Sequence, residues 1–128
     1  MEGDGTRMSV YKTLKKINKV AFPDDAPNVI NCGDCHLWAA IAKRLIPDAE
    51  LLSAEDWHAF VKIGDKYYDA ERLHGVKHWW SLPANKELDS YDHELEPVKH
   101  GTIAFYKFWC TNRNLVNKLV ARIRRCDE

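Results

Sequence analysis

The sequence predicts an α+β fold in which a buried helix carrying Cys35 packs on a small antiparallel sheet, with further helices at the N- and C-terminal ends. Three observations lead there. Leu37 to Ala42 is apolar almost all round, the pattern of a helix buried on most sides. Two segments rich in β-branched and aromatic residues flank Gly64-Asp65, as in a tight hairpin. Apolar residues at helical spacing stand near both ends of the chain.

The elements follow in order. Val10, Leu14, Ile17 and Ala21 recur at helical spacing, with Lys12, Lys15, Lys16 and Lys19 largely elsewhere on the wheel. Pro23 stops that helix. Pro23 to Asp34 reads as a loop rich in Pro, Asp, Asn and Gly. The second helix runs from Cys35 to about Leu45, with Asp34 as a side-chain N-cap. Trp57 to Ile63 and Lys66 to Leu73 read as two strands. Gly75 to Pro97 is irregular, with Trp79, Trp80 and Pro83 anchoring a loop. Thr102 to Trp109 reads as a third strand. Asn112 to Arg125 reads as a last helix, with Leu115, Leu119 and Ile123 on one stripe.

Composition bounds the function. A chain of 128 residues fits one domain, 1–128, and Met1 to Arg7 are expected to be disordered. A hydrophobic fraction of 45% provides for a core. Lys+Arg and Asp+Glu are both 19, and this balance argues against non-specific nucleic-acid binding. The basic stretch Arg122 to Arg125 is better read as complementing a helix C-terminus. No apolar run reaches the roughly 20 residues of a membrane span, and Met1 to Val10 carry no hydrophobic signal core. The expected compartment is a reducing cytoplasm, the host's if the protein comes from a phage. There the four cysteines, Cys32, Cys35, Cys110 and Cys126, remain thiols.

Cys35 is the candidate nucleophile. A thiol attacks as thiolate, and a helix N-terminus stabilises an anion through its partial positive charge and unpaired N–H groups. The same N–H groups can hold the oxyanion formed when a carbonyl is attacked. Taken alone, such a cysteine is as well explained as a small buried hydrophobe. The hairpin adds the rest. A two-residue turn at Gly64-Asp65 pairs Ile63 with Lys66, Val61 with Tyr68, Phe60 with Asp69 and His58 with Glu71. Side chains alternate across a strand, so His58, Phe60, Asp69 and Glu71 share one face. His58 and Asp69 are then diagonal neighbours roughly 7–8 Å apart. This gives an imidazole with an acidic partner to orient it. A three-residue turn would move Asp69 off that face.

The order Gly33-Asp34-Cys35-His36-Leu37-Trp38-Ala39, then His58-Ala59-Phe60-Val61, then Tyr67-Tyr68-Asp69, resembles the papain-like and transglutaminase-like thiol enzymes. The match covers roughly residues 30 to 72. The resemblance implies Cys35 as nucleophile, His58 as general base and acid, and Asp69 as orienter. It implies a cysteine-dependent hydrolase or acyltransferase acting on an amide or ester bond of a protein, peptide or small molecule, with no cofactor. The superfamily also contains members that have lost activity. A papain-type oxyanion glutamine has no clear equivalent; Asn28 or Asn31 takes that place, and Trp57 is a further substrate-side candidate. His36, beside the nucleophile, has no role in the pattern.

Other readings compete. One is a non-catalytic interaction protein, of phage or effector type, that reuses the fold to bind a partner. Cys32-x-x-Cys35 also fits a thioredoxin-like redox pair or half of a zinc site, but the segment before it is a poor central strand and no second ligand pair is spaced to match. With His36 it reads as a haem-c attachment motif, which normally requires export. His74, His78, His93 and His100 fall in expected loops. Trp79, Trp80, Trp109, Tyr91 and Phe108 are read as core more readily than as a substrate groove.

Overall fold

The computed structural model describes residues 10–55, 57–87 and 96–126. The expected disorder of residues 1–7 lies outside them, as do Tyr91 and His93. Helix α1 covers residues 10–16 and widens into a π-helical turn, Ile17–Ala21. Leu14 and Ile17 are fully buried, and Val10 and Ala21 pack at the edge of the core. The Pro23 to Asp34 segment is not all loop. It holds a short helix α2, Pro27–Gly33, started by Pro27 in its first turn, where a missing N–H costs nothing. Helix α3, Cys35–Leu45, is buried at seven of its first eight residues, as its all-round apolarity requires.

Five strands form one antiparallel sheet in the order β4-β3-β2-β1-β5: β1 Glu50–Ala54, β2 His58–Ile63, β3 Lys66–Asp69, β4 Arg72–Val76 and β5 Val98–His100. The β2–β3 ladder has the expected register, Ile63↔Lys66 and Val61↔Tyr68. Gly64 supplies the positive φ of 65° that both primed hairpin turns need at their first position. The expected strand from Lys66 to Leu73 is divided, because the chain turns at Ala70-Glu71 and returns as β4. Glu71 therefore does not pair with His58.

Alternation along β1 and β2 divides two cores. Leu51, Ala59 and Val61 face α3, α1 and the last helix; Leu52, Ala54 and Phe60 face the other way, onto Trp79 and Leu82. The residues after β4 supply that second cover, with two 3-10 turns at Trp79–Ser81 and Pro83–Glu87. Trp79 is thus core, as expected, while Phe108 is 52% exposed.

Thr102–Trp109 is a helix, α4, and not the expected strand. Its apolar residues fall on both alternating faces, a pattern that periodicity cannot assign. The Phe105 N–H bonds the Gly101 carbonyl at 2.8 Å, closing the first turn. His100 belongs to β5, not to a loop, and its Nε2 meets Ser53 Oγ at 2.8 Å. The last helix, α5, spans Arg113–Arg125 and is capped by Asn112, whose side chain accepts from the Leu115 N–H. Leu119 and Ile123 are buried with Val116 and Val120, whereas Leu115 is exposed. No helix among the described residues is long and apolar enough to cross a membrane.

Candidate active site

The first residue of α3 is Cys35, and its side chain is buried against β2. The backbone N–H of Ala59 donates to its Sγ at 3.4 Å. Asp34 precedes the helix as expected, yet its side chain makes no capping hydrogen bond. Its φ of −117° and ψ of 20° lie outside the extended region typical of a side-chain N-cap. The first turn of α3 is therefore left without a side-chain acceptor, which suits an anion site.

His58 opens β2, next to Ala59, and is completely buried. Its Nε2 donates to Asp69 Oδ2 at 2.9 Å. Asp69 is equally buried and ends β3. Its other oxygen, Oδ1, accepts from the backbone N–H groups of Glu71 at 2.9 Å and Arg72 at 3.1 Å. This is an Asx-type turn. The one carboxylate folds the β3–β4 connection and fixes its own orientation toward His58. The buried Nδ1 has no hydrogen-bond partner among the described residues.

Burial alone would lower the pKa of His58. Donation to the Asp69 carboxylate, the nearby Cys35 sulfur and the negative charge of Asp69 outweigh it and raise His58 from 6.5 to about 9. The ring is therefore a cation at neutral pH. Cys35, His58 and Asp69, selected from the sequence, are brought together; Glu71 does not pair with His58 in the ladder but stays close enough to Asp69 and His58 for their charges to act on it.

Sequence reasoning missed Asn18. It lies in the π-helical turn of α1, accepts from Trp38 Nε1 at 2.6 Å and donates to the Ala70 carbonyl at 3.0 Å. One amide thus ties the helix that carries Cys35 to the residue beside Asp69. A widened turn inside a helix is a common mark of a functional position. His36 finds a structural place, its Nδ1 within 2.9 Å of Thr111 Oγ1 and its ring stacked on Trp109.

A cleft of ≈ 440 Å³ is lined by neighbours of the triad rather than by the triad itself: Asn28, Asn31 and Cys32 from α2, just before Cys35, Trp57 before His58, and Glu71, whose N–H bonds Asp69, with Pro83 and Ala84. Asn31 is 7% exposed, and neither its Nδ2 nor its Oδ1 has a hydrogen-bond partner among the described residues. Trp57 is 49% exposed and its indole N–H donates to the Ala84 carbonyl at 2.7 Å. All three substrate-side candidates thus share one cleft. A larger cavity, ≈ 580 Å³, lies between Val10-Tyr11 and the Gly64-Asp65 turn. Its lining includes Asp65 and His74 but no neighbour of Cys35, whereas the smaller cleft is lined by Glu71, whose N–H bonds Asp69, and by Asn31 and Cys32 of the helix just before Cys35. All four cysteines are free, and no cluster of three or more His, Cys, Asp or Glu suited to a metal occurs among the described residues. Comparison with protein-family models, curated proteins and solved structures finds no match to this chain.

Proposed function

We propose that this protein is a cysteine-dependent hydrolase or acyltransferase acting on an amide or ester bond, with a fold of the papain-like and transglutaminase-like type. One observation carries the reading: a buried His58–Asp69 pair stands against a cysteine at the uncapped start of a buried helix. A buried ion pair stabilises a fold no better than well-packed apolar residues of the same size would, so this one is better explained by chemistry.

In the proposed reaction, Cys35 Sγ as thiolate attacks the carbonyl carbon and forms a C–S bond. The carbonyl electron pair moves to oxygen. First-turn N–H groups of α3 and Asn31 Nδ2 hold that oxyanion. The oxyanion collapses, the C–N or C–O bond breaks, and the imidazolium of His58 gives its proton to the leaving group. Water or an amine then attacks the thioester while His58 takes its proton, and Cys35 leaves as thiolate. Asp69 keeps the ring oriented and charged throughout.

The test is acylation of the full chain by p-nitrophenyl acetate, followed by intact mass and peptide mapping. A single acetyl group on Cys35 is expected, absent in Cys35→Ala and slowed by about 10²–10⁴ in His58→Ala. No adduct on Cys35, or equal labelling of all four cysteines, would contradict the proposal. Cys35 is 6% exposed and His58 fully buried, which favours one second reading, an inactive relative that binds a partner. The same absence of an adduct is what that reading expects.

A further inference from the structure

We infer that the cleft beside the triad binds a positively charged group of the substrate, an alkylammonium or guanidinium close to the carbonyl under attack. The inference rests on the catalytic reading above and names its substrate class. Among the described residues that line the cleft only Glu71 carries a formal charge, and no lysine, arginine or histidine joins it. Glu71 is half-buried and takes part in no ion pair among the described residues. Its neighbour Arg72 donates to the Glu71 backbone carbonyl at 2.9 Å rather than to the carboxylate.

Burial raises the pKa of the Glu71 carboxyl and the charge of Asp69 raises it further, while the charges of Arg72 and His58 offset only part of this. An anion held in such a place gains when a cation arrives. The other two groups agree. The Trp57 N–H is already committed to Ala84. What the indole still offers a ligand is its π system, which attracts ammonium and guanidinium groups. Asn31 is buried with an unused carbonyl oxygen, an acceptor for an N–H of the same ligand. A carboxylate, an exposed indole and an unpaired amide in one cleft suit a cationic group and repel an anionic one.

The experiment has two readouts on the full chain at pH 8. In the first, the Trp57 indole N–H signal is followed by heteronuclear NMR during titration with n-butylammonium chloride, and separately with sodium butyrate. A saturable shift with butylammonium only is expected, weakened about tenfold or more in Glu71→Gln. In the second, Cys35 is alkylated with 2-bromoethylamine, iodoacetamide or iodoacetate, each rate divided by that of glutathione. The cationic reagent is expected to lead, and Glu71→Gln to remove its lead over iodoacetamide. Equal shifts with both salts, or a cation preference that survives Glu71→Gln, would overturn the inference. Failure of the catalytic reading is seen elsewhere, as Cys35 reacting no faster than glutathione with iodoacetamide and insensitive to His58→Ala.

Discussion

Replacing Asp69 by Asn removes the charge that holds His58 protonated and puts an amide NH2 where Oδ2 accepted the His58 Nε2–H. Asparagine keeps an Oδ1 to accept from the Glu71 and Arg72 N–H groups, so the β3–β4 turn is retained. The folded protein holds the His58 proton to about pH 9, against an ordinary 6.5. At about 1.4 kcal/mol per pKa unit this is about 3 kcal/mol of stability. The sign follows from the direction of the shift. The folded pKa is raised, so the contribution is complete below about pH 6.5, falls by up to about 1.4 kcal/mol per pH unit above that, and is gone beyond about pH 9. Cys35 supplies part of it and remains in the variant. Asp69→Asn is therefore expected to lose about 2–3 kcal/mol at pH 6 and under about 1 kcal/mol at pH 10. Urea unfolding at the two pH values measures this, and the His58 ring protons should titrate well below pH 9 in the variant. The same loss of stability at both pH values, or an unchanged His58 titration, would refute the electrostatic reasoning.

Three further outcomes are expected. Asn31→Ala breaks no hydrogen bond, so its stability should change by less than about 1 kcal/mol in urea, while acylation of Cys35 slows about 10²-fold; unchanged acylation would remove Asn31 from the oxyanion site. Asn18→Leu leaves the buried Trp38 N–H without its acceptor, at about 1–3 kcal/mol in urea unfolding. Gly75→Ala forces a Cβ to 2.8 Å from the Tyr68 ring at a φ of +84°, which should cost about 2 kcal/mol in thermal unfolding.

Sequence reading succeeded where one local rule dominates. The helix after Cys35 is apolar on every side, which leaves burial as its only outcome. Gly64-Asp65 fixes the hairpin and with it the face shared by His58 and Asp69. It failed where tertiary context decides. Thr102–Trp109 has strand-like composition, but Phe105 and Tyr106 are buried as adjacent residues while Ile103 and Phe108 stay exposed, a helical face that alternation cannot display. Strands β1 and β5 are five and three residues long, too short to announce themselves without partners. The break at Ala70-Glu71 depends on Asp69 turning its own carboxylate onto the chain ahead. That signal was present, since Asp favours such turns. It was masked by the apolar and aromatic residues on either side. Asn18 carried no visible signal, because its role depends on contacts 20 and 52 positions away.

The central claim is that His58 and Asp69 activate Cys35, and competitive alkylation tests it most directly. At pH 7, with limiting iodoacetamide, labelling of the four cysteines is resolved by peptide mass mapping. Accessibility alone ranks exposed Cys32 and Cys110 first and buried Cys35 last. Activation reverses that order. Cys35 is expected to react fastest in the native protein and to lose its lead in His58→Ala. Cys35 reacting last, or a lead unchanged by His58→Ala, would contradict it.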